Sequence, residues 1–250
     1  MPAVERCARA AAELALGLAL VAFNATITAA QESSTMTTAP SETLSARQQA
    51  IVPIAALAAA GDIQRLGPAL GQGLDAGLSV NDAKEILVQL YAYAGFPRSL
   101  NALGELMKVV EARKQRGVKD VQGRTPSRAV PTGDALLAAG TANQTRLSGA
   151  PVQGPLFDFA PLANEYLRTH LFGDMFERDN LDWQSRELAT VSMLAALQGV
   201  ESQLQAHMGI AMNVGLSAAQ LGQLAEVLAD RVDAQAANRA HEALARRLAR

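Results

Sequence analysis

Cysteine is almost absent from this chain of 250 residues, which contains only Cys7. That residue lies in an N-terminal segment that we predict to be removed on export, so the mature chain would have no thiol. Disulfide frameworks, cysteine-ligated metal sites and thiolate nucleophiles are therefore excluded for the mature protein.

Aromatic residues and strand signals are also scarce. Phe, Trp and Tyr make up 4% of the chain, and β-branched runs bounded by turn residues are rare. Alanine and leucine dominate, and both favour helix because they lose little side-chain freedom there. The net charge of −2 provides no basic field for nucleic acid. We therefore expect an all-α globular protein without a nucleic-acid partner.

The N-terminus has the pattern of a secretory signal peptide. Two arginines precede an apolar run from Leu14 to Phe23, and small residues follow as far as Ala30. We predict a signal peptide over residues 1–30 and export to the periplasm or the medium; the alternative is a frayed amphipathic helix. Residues 31–45, rich in Ser and Thr, are expected to be a flexible lead-in. Later segments are too polar for a membrane span, so no membrane association is expected of the mature form.

An internal repeat organises the rest of the chain. Helical patterns separated by glycines recur in the same order over residues 46–117 and 156–250, and each copy contains a Gly-Leu-Ser break, at 77–79 and 215–217. In the first copy, the helix that follows this break is predicted to stop at Gly95-Phe96-Pro97. The repeat predicts two helical units of one design; a chance coincidence of helix, break and cap is the alternative.

The segment between the units, residues 118–155, is rich in Gly, Pro, Ser and Thr. It is predicted to be a linker with one short helix near Ala135 to Ala139. The stretch from Phe157 to Phe176 holds five of the ten aromatic residues. We expect it to form one or two extra helices that cover the core of the second unit.

Several motifs together resemble the carboxymuconolactone decarboxylase family. They are Arg186-Glu-Leu-Ala-Thr, Gln203 to His207, and Asn213-Val-Gly-Leu-Ser in the second unit, with Tyr93-Ala-Gly-Phe-Pro in the first. The resemblance implies an all-α bundle, here as two repeated helical units. It also implies a homo-oligomer, which for a two-unit chain would be a trimer with pseudo-hexameric symmetry.

The family includes alkylhydroperoxidase D-like proteins, which carry a Cys-x-x-Cys-x-x-x-His motif. Counting back from His207, this chain has Val200 and Gln203 at the cysteine positions, so dithiol peroxidase chemistry is excluded. The first unit lacks the histidine as well, with Pro68 and Ala69 where it should fall. Any histidine-based site would then belong to the second unit alone.

The resemblance singles out His207 among three histidines as the candidate general acid or base. Glu187, on the preceding helix, could contact it and orient its ring, while Gln203 and Arg186 could bind an anionic substrate. No cofactor is implied, and the histidine spacing gives no metal motif. The alternative is that His207, a lone histidine on an apolar helix, is a hydrogen-bonded core residue.

Three functions follow as hypotheses. The first is cofactor-free decarboxylation or proton transfer on a small anionic lactone or carbonyl acid. The second is a non-catalytic exported scaffold or binding protein, because a shared fold does not carry an activity with it. The third, a peroxidase-like activity, is the weakest because the thiols are missing.

Overall fold

A computed structural model describes residues 42–249. The predicted signal peptide and most of the predicted lead-in lie outside these residues. Within residues 42–249 the regular secondary structure is entirely helical, as predicted. None of the helices described is both long and apolar enough to cross a membrane.

The helices form two groups of four, joined by a third group. The first group consists of α1 (Ala46–Ala60), α2 (Ile63–Asp75), α3 (Val80–Gln89) and α4 (Tyr91–Gln115). The joining group consists of α5 (Asp134–Ser148), α6 (Pro155–Phe159), α7 (Pro161–Tyr166) and a π-helix (Leu167–Met175). The last group consists of α8 (Trp183–Ala196), α9 (Glu201–Asn213), α10 (Ala218–Arg231) and α11 (Ala234–Leu248).

Matching local structure supports the predicted repeat. Ser79 and Ser217 each begin a helix with a capping box, in which the serine and the residue three positions later satisfy each other's backbone amides. Gly77 and Gly215 precede these caps and have φ angles of 96° and 98°. Because these conformations favour glycine, the Gly-Leu-Ser sequence produces the same turn in both groups.

The centre of the molecule is formed by α1 and α8, which are counterparts in the repeat and pack against each other. Most residues of both helices are buried, among them Ile51 and Ile54 on α1 and Leu188 on α8. Each is followed by a tight glycine turn and a partner helix, α2 or α9. The two units therefore share one continuous hydrophobic core.

Helix α4 is interrupted near its start. Gly95 has φ 81° and ψ 160°, which is not helical, and Pro97 follows it. Tyr91 to Ala94 therefore form a short helical segment directly after α3, and the long part of α4 begins beyond the kink. This agrees with the predicted break at Gly95-Phe96-Pro97, and it fixes the position of Tyr93 beside the second unit.

The joining segment contains more structure than we predicted. Instead of a short helix near Ala135 to Ala139, α5 extends over fifteen residues, Asp134–Ser148, and packs against the π-helix. Leu147 is fully buried there. Helix α5 is longer than predicted because its Gly, Thr and Asn residues resemble those of a loop, and its packing partner is distant in sequence.

The aromatic stretch after α5 covers the core only in part. Leu171, Phe172 and Phe176 are buried in a second, smaller apolar cluster, as expected. The earlier part of the stretch differs from the prediction, because the side chains of Phe159, Leu162 and Tyr166 remain exposed, as does that of the preceding Leu156.

Candidate functional site

The candidate site lies between α8 and α9. Asp182 caps the start of α8, and a turn at Gly199, with φ 77°, brings α9 back along it. Glu187 on α8 and His207 on α9 then come together, with 2.8 Å between Glu187 Oε2 and His207 Nδ1. The contact that the sequence analysis suggested is present in the structure.

Both members of this pair are buried. Glu187 is 0% exposed and His207 is 8% exposed. With a carboxylate at Nδ1, the proton of a neutral imidazole is held on Nδ1, so Nε2 is left as an acceptor. Nε2 makes no hydrogen bond to any residue in the described part of the chain, and neither does the buried Glu187 Oε1. This arrangement suits a histidine that exchanges protons at Nε2.

Tyr93, from the first unit, completes the surroundings of His207. The two rings meet edge to face, with 5.6 Å between centroids and 81° between planes. The Tyr93 hydroxyl is buried and makes no hydrogen bond with the described residues. Burial and the nearby negative charge of Glu187 raise the pKa of Tyr93 above its usual value of 10, so the hydroxyl remains protonated.

Sequence reasoning did not assign a role to Tyr93. The Tyr-Ala-Gly-Phe-Pro motif was recognised as part of the family resemblance, but His207 lies more than a hundred residues later. The available signal was that the first unit carries this motif without a histidine, while the second unit carries the histidine.

Arg186 lies at the interface between the units. Its side chain is fully buried and forms an ion pair with Glu85 on α3, with 3.1 Å between Nη2 and Oε2. It also donates to Gln89 Oε1 at 3.1 Å and to the backbone carbonyl of Arg178 at 3.0 Å. These contacts give Arg186 a structural role, and this arrangement lends no support to its predicted role in substrate binding.

Gln203 is exposed on the first turn of α9, one turn before His207. Its amide oxygen accepts a hydrogen bond from Ser202 Oγ at 2.9 Å, and the amide does not hydrogen-bond to His207. Gln203 is therefore accessible to a ligand, but its predicted contact with a substrate carboxylate stays a prediction.

The other histidines lie on the surface. His170, on the π-helix, is paired with Asp174 at 3.0 Å, a partner that the sequence analysis did not identify. His241 is exposed on α11. Among residues 42–249 no group of three or more His, Cys, Asp or Glu side chains is placed to hold a metal ion.

A large apolar cavity lies away from the candidate site. It has a volume of about 720 Å³, lies between α3 and α4, and is lined by residues such as Leu103 and Met107. Neither His207 nor Glu187 lines it. The His207–Glu187 pair and this apolar cavity are therefore separate features.

Comparison with known proteins supports the family assignment. Comparison with curated protein sequences gives no significant match. The family model described as "Carboxymuconolactone decarboxylase family" matches residues 33–107 and 161–246, which together exceed half of the chain. The chain therefore belongs to the carboxymuconolactone decarboxylase family, with the family's helical unit present twice in tandem.

Proposed function

We propose that this protein is a cofactor-independent enzyme that decarboxylates, or moves a proton on, a small anionic lactone or carbonyl acid. His207 is the general acid or base, and Glu187 orients it. The observation that carries the proposal is the 2.8 Å contact between His207 Nδ1 and Glu187 Oε2 in a buried setting.

The chemistry requires only groups that this pair provides. When a carboxylate beside a lactone leaves as carbon dioxide, its electron pair is delocalised toward the lactone carbonyl oxygen. The carbon atom must then receive a proton. His207 Nε2 can deliver that proton, and the Glu187 carboxylate stabilises the imidazolium that carries it. Burial strengthens the attraction between the two because little water screens it.

Gln203 is the side chain that we propose to contact the anionic group of the substrate. It precedes His207 by one helical turn, so the two residues share a face of α9. Its exposed amide can donate two hydrogen bonds to a carboxylate. Arg186 supports the site indirectly, because its ion pair with Glu85 fixes the segment of α8 that carries Glu187.

A non-catalytic scaffold is the second candidate. The low exposure of His207 favours it, since a buried, hydrogen-bonded histidine can be a purely structural residue. A peroxidase-like activity has less support than either, because Val200 and Gln203 occupy the positions of the family's thiols.

The test is turnover by the purified full chain, assayed on carboxymuconolactone with the product identified by mass. We expect His207→Ala to lower kcat/KM by about 10²- to 10⁴-fold, as for loss of a general acid or base. Glu187→Gln should lower it less, because the ring is retained but loses its charged partner. His241→Ala, which changes an exposed histidine, is the matched control and should retain full activity.

Each variant should keep the wild-type helical circular dichroism spectrum, which separates loss of chemistry from loss of folding. Absence of turnover in the wild-type protein, or undiminished activity in His207→Ala, would contradict the decarboxylase proposal and favour the scaffold.

Two further features belong to the same proposal. The N-terminal pattern supports export, with the mature chain in the periplasm or the medium. Membership of the family supports a homo-oligomer, for which we propose a trimer with pseudo-hexameric symmetry.

A further inference from the structure

The two units contribute different residues to one site. Counterpart residues of the repeat occur at a constant spacing, as shown by Gly61 with Gly199 and by Ser79 with Ser217. At that spacing Ala69 is the counterpart of His207, and Gln49 is the counterpart of Glu187. The first unit therefore lacks both members of the acid–base pair.

The second unit lacks the tyrosine. The counterpart of Tyr93 is Arg231, which donates a hydrogen bond to Gln72. Ala69 and Arg231 line a cavity of about 370 Å³ at the equivalent place in the repeat. A buried histidine, a buried carboxylate and a buried tyrosine consequently meet once in the described part of the chain, and only because the two units pack together.

The Tyr93 hydroxyl and Glu187 Oε1 are complementary. The hydroxyl is a buried donor and Oε1 is a buried acceptor, and neither has a hydrogen-bond partner in the described chain. The other polar group near the hydroxyl is Thr190 Oγ1, one turn after Glu187 on α8. That oxygen already accepts from Gln89 Nε2 at 2.8 Å and donates to the Arg186 carbonyl at 3.0 Å. Thr190 Oγ1 keeps one free lone pair, but Glu187 Oε1 accepts no hydrogen bond and carries charge, so it is the stronger acceptor for the Tyr93 hydroxyl.

We propose that Tyr93 is a positioning residue, supplied by the first unit, whose hydroxyl donates a hydrogen bond to Glu187 Oε1 while Glu187 Oε2 holds His207. The site is then composite, because its tyrosine comes from the first unit and its histidine and carboxylate come from the second. The role of the Tyr93–Glu187 hydrogen bond in catalysis rests on the proposed function, but the bond itself can be tested without turnover.

The bond has a predictable effect on the proton affinity of the pair. A donor to the Glu187 carboxylate stabilises the more negative, fully deprotonated state of the His207–Glu187 pair most. Removal of the donor should therefore raise the apparent pKa at which the pair loses its proton. Other charged groups on the packed elements are unchanged by the test; they are Arg146 on α5, Arg186 on α8, Glu201 on α9, and Arg239 and Arg247 on α11.

The experiment is an NMR titration of the His207 ring in the full chain, with the signal assigned by comparison with His207→Gln. Tyr93→Phe keeps the ring and removes only the hydroxyl. We expect its titration midpoint to rise by about 0.5 to 1 pH unit, the size expected for one hydrogen bond. Tyr91→Phe, two positions earlier and stacked on Phe96, is the matched control and should leave the midpoint unchanged.

A second variant provides a test that remains valid if Tyr93→Phe does not fold. Fluorotyrosine at position 93 keeps the hydroxyl and makes it a stronger donor, so the midpoint should fall below that of the wild type. An unchanged midpoint in folded Tyr93→Phe or in the fluorotyrosine protein would overturn the proposal.

Enzyme activity then separates this proposal from the decarboxylase proposal. If the wild type turns over, the descending limb of its kcat/KM pH profile, which reports loss of the proton that His207 delivers, should move with the NMR midpoint in Tyr93→Phe. A shifted midpoint in a protein without turnover would support the Tyr93–Glu187 bond and contradict only the decarboxylase function.

Discussion

At the scale of single residues, Glu85 is the clearest case of a charge held by its surroundings. Its carboxylate lies between Arg178 at 2.6 Å and the fully buried Arg186 at 3.1 Å. Burial alone would raise the pKa of Glu85, but the hydrogen bonds from the two arginines lower it from 4.5 to about 2. The ionised form is therefore the one that the fold stabilises.

This shift predicts how stability depends on pH. Because the pKa of Glu85 is lower in the folded protein than in the unfolded one, its contribution is complete above about pH 4.5 and is lost as the pH falls toward 2. Glu85→Gln should lower the free energy of unfolding at pH 7 by about 3 kcal/mol, since it leaves Arg186 buried without a counter-charge. Urea unfolding measured from pH 7 to pH 3 checks this.

The difference in the free energy of unfolding between the wild type and Glu85→Gln should become smaller as the pH falls. Glu226→Gln, which changes an exposed glutamate, should leave the unfolding curve nearly unaltered. A Glu85→Gln protein as stable as wild type at pH 7 would show that the buried ion pair contributes no net stability, as is known for some buried pairs.

At the scale of elements, the packing of α5 against the π-helix depends on one glycine. A Cβ atom at Gly140 would lie 1.7 Å from the carbonyl oxygen of Arg168, which is backbone and has little freedom to move. The close approach of the two helices is therefore possible only without a side chain at this position.

We predict that Gly140→Ala destabilises the protein by several kcal/mol, or separates α5 from the π-helix, because backbone must shift to admit the methyl group. Gly222→Ala is the matched control. Gly222 lies within α10 and has open space around it, so alanine there should be neutral or stabilise by up to about 1 kcal/mol. Thermal unfolding of both variants measures the difference, and equal melting temperatures would contradict the close contact.

At the scale of the whole molecule, the two units depend on each other. The α1–α8 contact forms the centre of one shared core, and the Glu85–Arg186 ion pair crosses between the units. The exposed apolar residues of α6 and α7 lie outside this core, and exposed apolar surface of this kind commonly mediates association.

We predict that the purified protein is a trimer. Light scattering combined with size-exclusion chromatography should give about three times the mass of one mature chain. Phe159→Ser, which replaces an 88% exposed aromatic side chain on α6, should weaken the assembly if α6 takes part in it. A mass equal to one chain at micromolar concentration would contradict the trimer.

Much of the architecture could be predicted from local signals. Composition indicated an all-helical chain, the glycine breaks and serine caps marked the repeat, and the Gly95-Phe96-Pro97 break was located correctly. The length of α5 was missed because Gly140, Thr141, Asn143 and Thr145 interrupt its helix-favouring residues, and because its packing partner is distant in sequence. The exposure of Phe159 was missed because apolar character alone does not tell which surface covers a side chain.

The sequence by itself determined the helical class, the tandem repeat and the absence of thiol chemistry at His207, since each depends on residue type and local spacing. Only the tertiary structure decided which side chains meet. Packing of the units placed Tyr93 against His207, and it paired the buried Arg186 with Glu85. The reason is physical: contacts between distant segments depend on how helices cross in three dimensions, and local sequence patterns do not specify those crossings.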